Sequence, residues 1–137
     1  MSEIACEILV DGPAASGSAL VLTAPISFWG GVDPASGTII DARHPERGRN
    51  IAGRILALPG TIGSSSASAV LLELVHAGKA PAALLMDAPD AILLLGLVVA
   101  REMGWPTPPA FRLAAADQKA LAGREIAIST EGLITTA

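Results

Sequence analysis

A glycine-rich segment that leads into three serines is the part of this sequence best suited to chemistry. The segment Gly60–Ser66, with the sequence GTIGSSS, lies between a predicted strand and a predicted helix. Glycines let the backbone turn sharply and approach a ligand closely. The first turn of a helix offers unpaired N–H groups and a positive dipole end, which favour a carboxylate, a phosphate or a developing oxyanion.

The same serines also fit a purely structural role, because serine is a preferred N-cap residue. The pattern alone leaves both interpretations open. A serine accepts a proton only if fixed dipoles hold it near the alkoxide state, and the helix start could supply them. No Lys or Arg lies between Ile55 and Gly78, and no His–Asp pair or G-x-S-x-G elbow predicts a hydrolase triad.

A second candidate is the segment Pro25–Pro34, which carries the large apolar residues Phe28 and Trp29. Its prolines and adjacent glycines exclude a regular helix. A loop with such large apolar side chains is expected to have a defined conformation, to pack against the core or to serve a function. Asp33 is either a turn residue or a functional carboxylate.

The remaining reactive residues favour structural roles. His44 precedes a proline in a polar loop and is expected to brace that loop. His76 lies in the last turn of a predicted helix, where the dipole favours a cation. Cys6 falls in a strand pattern and is expected to be a small core residue.

Composition limits the classes of function. The 137 residues suit a single domain, 1–137, with a core of aliphatic side chains. A net charge of −4 without a basic block argues against nucleic acid, and Ala91–Ala100 is too short an apolar run for a membrane span. The lone cysteine and the acidic start Met1–Val10 favour the cytoplasm. The high Ala and Leu content favours a permanent partner.

The order of elements predicts a mixed α/β domain with a curled sheet and helices on one side. The apolar periodicity predicts two helices, Ala67–His76 and Asp90–Met103. The predicted strands are Ile4–Val10, Ala19–Thr23, Thr38–Asp41, Ile51–Leu58, Ala82–Met86, Gly123–Ser129 and Leu133–Thr136.

A set of short motifs occurs together over about Ala19–Ala100. They are Pro25–Pro34 (PISFWGGVDP), Gly37, Ile40-Asp41, His44-Pro45, Gly48, Ala52-Gly53, Gly63–Ser66, Leu72–Leu74, Gly78 and Ala80-Pro81. Together these motifs resemble the swivel-domain small subunit of the aconitase X family. The resemblance implies the swivelling β/β/α domain of the aconitase C-terminal part. It also implies a hydro-lyase in which a large subunit carries an iron–sulfur or iron centre, and this chain carries no cofactor or metal.

The resemblance further implies roles for individual residues. The first serine after the glycine of the motif, Ser64 here, would remove the proton next to a substrate carboxylate. Ser65 and Ser66 would bind substrate or cap the helix. The remaining implied substrate-binding or cleft-lining residues are Gly63, Ser27, Trp29, Gly30, Gly31 and Asp33.

Two activities are implied by the family, cis-3-hydroxy-L-proline dehydration and phosphomevalonate dehydration. A basic residue commonly precedes the Gly-Ser pair, but Ile62 takes that place here. Because a phosphorylated substrate favours that charge, the sequence favours the hydroxyproline enzyme. A non-catalytic swivelling or carrier module, with His44 or His76 as a phosphorylated residue, is the alternative from another class.

Overall fold

The computed structural model describes residues 3–136 and shows a mixed α/β domain, as the sequence predicts. The strands are β1 (Glu3–Ala5), β2 (Glu7–Val10), β3 (Ala15–Val21), β4 (Ile55–Leu58), β5 (Ala83–Met86), β6 (Ala110–Arg112), β7 (Glu125–Ile128) and β8 (Leu133–Thr136). The helical segments are the short turn α1 (Phe28–Gly31), α2 (Ala67–His76), α3 (Ala91–Glu102), α4 (Ala115–Gln118) and a 3₁₀ turn at Lys119–Leu121.

The sheet has eight strands in the order β1-β8-β7-β3-β4-β5-β6-β2. The central strands β3, β4, β5 and β6 run parallel, and the remaining pairs are antiparallel. The two strands at the ends of this order, β1 and β2, are separated along the chain by Cys6 alone. The sheet must therefore curl until its ends meet, which confirms the predicted curvature.

A close contact at Cys6 holds the curl. The Cys6 N–H donates to the Gly132 carbonyl at 2.9 Å, and the Cys6 thiol donates to the same oxygen at 3.0 Å. Gly132 has a φ of 86°, and a Cβ there would lie 2.6 Å from the Cys6 carbonyl oxygen. Only glycine allows this approach, because any side chain would be strained and would clash.

Alternate residues of the central strands face two separate apolar clusters. In β4, Leu56 and Leu58 pack with the helices α2 and α3, whereas Ile55 and Ala57 face the inside of the curl. All four are buried, as expected for a strand covered on both faces. The inner cluster includes Leu121 of the 3₁₀ turn, so the expectation of helices on one side holds for α2, α3 and the short turn α1, whose Phe28 packs with them, but not for the 3₁₀ turn.

Local signals define both long helices. The side chain of Asp90 accepts hydrogen bonds from the Ile92 and Leu93 N–H groups and caps the start of α3. At the end of α2, Gly78 has a φ of 72°, and the Lys79 N–H donates to the Leu74 carbonyl at 2.9 Å. This is the Schellman arrangement that a glycine after the last turn permits.

Several predicted strands differ from the observed ones. The first predicted strand is interrupted at Cys6, and β4 begins at Ile55 rather than at Ile51. The segment Thr38–Asp41 contributes only isolated bridges, from Thr38 to Asn50 and from Ile39 to Val32. Two glycines with positive φ, Gly37 and Gly48, lie on either side of it, so the chain turns shortly before and after these bridges.

Two short elements that follow Thr107–Pro109 are absent from the structure predicted by the sequence pattern. The strand β6 is three residues long, and α4 is a single turn. Within α4, the buried Gln118 amide donates to the carbonyls of Leu58 at 3.0 Å and Leu113 at 2.9 Å. Gln118 thus satisfies backbone oxygens where β4 and β6 end.

Candidate active site

The loops that leave the parallel strands meet at one edge of the sheet. β4 ends at Leu58 and continues into Gly60–Ser66, while the neighbouring β5 ends at Met86 and continues into residues 87–90. The carboxyl edge of parallel strands is where α/β domains bind ligands. The serine segment therefore lies where a site is expected.

Ser64 is half-buried at the start of α2, whereas Ser65 and Ser66 are exposed. The Ser64 Oγ accepts a hydrogen bond from the Ser66 N–H at 3.2 Å, and the Ser64 carbonyl accepts one from the Ala67 N–H at 3.2 Å. The Ser66 side chain makes no capping bond. Ser64 therefore lies two residues before α2, in the turn that leads to the N-cap residue Ser66, and its oxygen accepts a backbone N–H dipole that favours negative charge.

The segment with Phe28 and Trp29 lies beside the serine loop. Ile26 forms a parallel bridge with Thr61, and its carbonyl accepts the Ile62 N–H at 3.0 Å. Phe28 is fully buried and fixes the segment, whereas Trp29 is 61% exposed at the edge. The structure thus brings two of the segments singled out in the sequence to one place.

Within this segment most polar groups satisfy the loop itself. The Ser27 Oγ donates to the Trp29 carbonyl at 2.9 Å. The Asp33 carboxylate accepts bonds from the Ala35 N–H and the Ser36 hydroxyl. These contacts support the turn interpretation of Asp33, and its role toward a substrate stays a prediction.

The adjacent glycines of the segment, Gly30 and Gly31, allow its backbone conformation and its close packing. Gly30 has a φ of 78°, which a side chain disfavours, and the Trp29 and Gly30 dihedrals interrupt the helical turn. A Cβ on Gly31 would lie 3.1 Å from an Ile26 side-chain carbon. Both positions favour glycine for conformational reasons, and contact of either with substrate stays a prediction.

An open cleft of about 470 Å³ lies between the serine loop and the start of α3. Its lining contains one carboxylate, Asp90, and no Lys, Arg or His among the described residues. The Thr61 Oγ1 donates a hydrogen bond to the Asp90 Oδ2 at 2.6 Å, and this bond joins the two sides of the cleft. The lining residues are Gly60, Thr61, Gly63, Ala88, Pro89, Asp90, Ala91 and Ile92.

The sequence analysis did not single out Thr61 or the side chain of Asp90 as site residues. The Pro89-Asp90 pair predicts the helix start correctly, and Asp90 is indeed its cap. The bond to Thr61 spans 29 positions along the chain, so no local spacing could indicate it.

Comparison with known proteins identifies the family. A sequence profile for the Aconitase X swivel domain matches residues 3–135. The chain belongs to the aconitase X swivel domain family. The crystal structure of Thermococcus kodakaraensis aconitase X in its holo form superimposes with a TM-score of 0.87 at 28% identity, and the match covers 100% of this chain and 99% of that one.

Relatives of this swivel domain are named for two different dehydratase activities. Cis-3-hydroxy-L-proline dehydratases of Pseudomonas aeruginosa and Hypocrea jecorina are 53% and 43% identical over 66% and 84% of this chain. The phosphomevalonate dehydratase small subunit of Methanothermobacter thermautotrophicus is 39% identical over 72% of this chain and 74% of its own length. The swivel domain spans only 16% and 20% of the two hydroxyproline dehydratases.

Both histidines of the swivel domain lie in structural settings. His44 is buried, its Nε2 lies 3.0 Å from the Ala24 carbonyl, and its Nδ1 accepts the Glu46 N–H. Because both ring nitrogens are engaged, the expected loop-bracing role is confirmed, and a phosphocarrier role does not fit His44. His76 packs against Trp105 at the end of α2, with ring centroids 4.7 Å apart.

The described part of the swivel domain lacks a cluster of metal-ligating side chains. Within residues 3–136, no three His, Cys, Asp or Glu side chains lie close enough together to hold a metal ion. Cys6 is half-buried, and burial raises the pKa of its thiol to about 11. An iron centre therefore does not fit the described residues of this chain.

No helix in this same stretch is long and apolar enough to cross a membrane.

Proposed function

We propose that this swivel domain acts as the small subunit of a two-part dehydratase, in which Ser64 accepts the substrate proton. The observation that carries the proposal is the position of the Ser64 Oγ. It lies after a glycine at the carboxyl edge of the sheet, at a helix start, and it accepts a backbone N–H at 3.2 Å. A donor placed there stabilises negative charge without reorganisation during the reaction.

The proposed step is a β-elimination. The Ser64 oxygen takes the proton from the carbon next to the substrate carboxylate, and the C–H electron pair becomes the second bond of a C=C double bond. The hydroxyl on the adjacent carbon departs with its bonding pair and takes one proton from a donor of the large subunit, so that it leaves as water. Ser64, which acts as the alkoxide, returns the proton it gained to solvent, and the donor regains one from solvent, so each substrate gives one alkene and one water. The swivel domain supplies the proton acceptor and its electrostatic support, and a large subunit would supply the group that assists the departing hydroxyl.

Exposed apolar side chains around the site support a partner. Trp29 is 61% exposed, Ile62 is 57% exposed and Ile92 is 48% exposed, and each belongs to a segment that forms or adjoins the cleft. Large apolar side chains gathered at one edge are typical of a surface that a second protein covers. The iron centre implied by the family is assigned in this proposal to that large subunit.

Two observations favour cis-3-hydroxy-L-proline as the substrate. The relatives at 53% and 43% identity both carry that activity in their names. The cleft contains Asp90 and no cation among the described residues, which suits a substrate with a protonated ring nitrogen better than one with a phosphate.

Phosphomevalonate dehydration is the second candidate, and relatives named for that activity support it. These small subunits match over 67% to 74% of their own length, with 74% for the Methanothermobacter protein. The hydroxyproline dehydratases match over a fifth of their length or less. In this alternative the large subunit must provide every basic group that binds the phosphate.

A direct substrate comparison tests the proposal. The chain is purified together with its native large partner, and dehydration of cis-3-hydroxy-L-proline and of mevalonate 5-phosphate is followed at equal concentrations. We expect turnover of the hydroxyproline and none of the phosphate ester. Turnover of mevalonate 5-phosphate alone would establish the second candidate, and turnover of neither would contradict both.

A further inference from the structure

The backbone directly before Ser64 has little support of its own. Gly63 is exposed, and a Cβ placed on it would meet no heavy atom within 4 Å. The Ser64 side chain bonds to Ser66, which belongs to the same loop and cannot fix the loop against the sheet. On its carboxyl side Ser64 is tied to α2 by the bond from the Ala67 N–H to its carbonyl, at 3.2 Å. On its amino side the nearest contacts that can fix its position lie one or two residues earlier.

Two such contacts precede Gly63. The Ile62 N–H donates to the Ile26 carbonyl at 3.0 Å, a backbone bond that any residue except proline could make. The Thr61 Oγ1 donates to the Asp90 Oδ2 at 2.6 Å, a bond that depends on side-chain identity. A hydroxyl that donates to a carboxylate forms a short and strong hydrogen bond, so the second contact is the specific one.

Asp90 is itself rigidly held. Its Oδ1 accepts the N–H groups of Ile92 at 3.0 Å and Leu93 at 3.1 Å at the start of α3. The helix is fixed against the sheet by Leu93 and Leu97, both fully buried. A carboxylate that caps a well-packed helix is a stable support for a neighbouring loop.

We propose that Thr61 is a positioning residue, whose hydroxyl, bound to the carboxylate of Asp90, fixes the Ser64 oxygen for proton transfer. This inference rests on the proposed function. The hydroxyl does not touch the substrate in this account, and it acts by holding the backbone of residues 62–64. Displacement of a reacting group by about 1 Å can cost on the order of 100-fold in rate.

The test uses two variants of Thr61 and one matched control. Thr61→Val keeps the branched shape that suits the bridge to Ile26 but removes the donor, and Thr61→Ser keeps the hydroxyl. Thr107→Val is the control, because the Thr107 Oγ1 also makes one loop hydrogen bond, at 2.8 Å to the Trp105 carbonyl. Asp90 is only partly buried, so water can replace the lost donor and the Thr61→Val chain is expected to fold.

Two readouts are measured for each variant. In the complex with the large partner, we expect Thr61→Val to lower kcat on cis-3-hydroxy-L-proline by about 10- to 100-fold with KM unchanged, because the lost geometry matters in proton transfer. In the free chain, the ¹⁵N order parameters of the Gly63 and Ser64 amides should fall from about 0.85 to below about 0.6. Thr61→Ser should restore both values, and Thr107→Val should change neither.

Different results would overturn the positioning role of Thr61 and the role of Ser64 as the base. If Ser64→Ala inactivates the complex while Thr61→Val keeps normal kcat, or Thr61→Ser fails to restore it, the positioning role is overturned. If Thr61→Val loosens the Gly63 and Ser64 amides while Ser64→Ala keeps normal turnover, the structural anchor stands and the proposed base is wrong.

Discussion

The Ser64 hydroxyl oxygen accepts the N–H of Ser66, the N-cap residue of α2, so the residue proposed as the base also shapes the turn that leads into the helix. The two roles use the same N–H group, because it stabilises a neutral oxygen modestly and an anionic oxygen more strongly. From the sequence, a structural role and proton abstraction are competing explanations for the serines. In the structure one side chain can serve both, although no serine side chain makes the N-cap bond of α2.

At the same scale, Gln118 is expected to control the stability of the edge that carries the site. Its amide donates to the Leu58 and Leu113 carbonyls in a fully buried position. Gln118→Met should lower the free energy of unfolding by about 1–3 kcal/mol, because buried carbonyls lose their donor. Gln118→Glu should cost more, because a carboxylate oxygen then faces those carbonyls.

Urea unfolding followed by circular dichroism measures both changes. Gln118 lies next to exposed Lys119, and Lys119→Met provides a control that should change the unfolding free energy by less than about 0.5 kcal/mol. Equal stability of Gln118→Met and the native chain would show that the amide bonds contribute nothing net.

At the scale of elements, the contact between α2 and α3 depends on one glycine. A Cβ on Gly96 would lie 2.6 Å from the Ser68 carbonyl oxygen and 3.4 Å from the Leu71 Cβ. The two helices therefore approach each other through a position without a side chain. This contact keeps α2, which follows the serine loop, in a fixed relation to α3, whose start lines the cleft.

Gly96→Ala should therefore destabilise the domain, although alanine ordinarily stabilises a helix relative to glycine by about 1 kcal/mol. We expect a net loss of about 1–3 kcal/mol, since the helices must separate to admit the methyl group. Thermal unfolding of Gly96→Ala and of Val98→Ala, an exposed position on the same helix, provides the comparison. An increase in stability for Gly96→Ala would contradict the close packing.

The elements with strong local signals are those that the sequence predicts well. Helix α2 occupies Ala67–His76 as predicted, because its apolar spacing and Gly78 define both its face and its end. The strand β3 extends back to Ala15, where the small polar residues of the segment carry no apolar alternation. Its pairing with β7 is a long-range contact that no local pattern contains.

At the scale of the whole molecule, the parallel direction of β3, β4, β5 and β6 places the loops that leave these strands at one edge of the sheet. The sequence identifies Gly63 and Ser64 and the segment of Trp29 as candidates, and the Ile26–Thr61 bridge brings those two segments together. The sequence does not identify the Thr61–Asp90 bond. The two residues belong to loops that follow neighbouring parallel strands, so a complete helix and strand lie between them along the chain.

The most direct test of the account is turnover by the complex when the Ser64 hydroxyl is removed. Ser64→Ala is compared with Ser64→Asn, which keeps a side-chain oxygen able to accept the Ser66 N–H, and with Thr107→Val, which removes a hydroxyl that bonds the Trp105 carbonyl in another loop. Assembly with the large partner is checked by size-exclusion chromatography. We expect both Ser64 variants to assemble and to lose about 10²- to 10⁴-fold in kcat on cis-3-hydroxy-L-proline, while Thr107→Val stays near the native rate. Near-native turnover by an assembled Ser64→Ala complex would contradict the central claim.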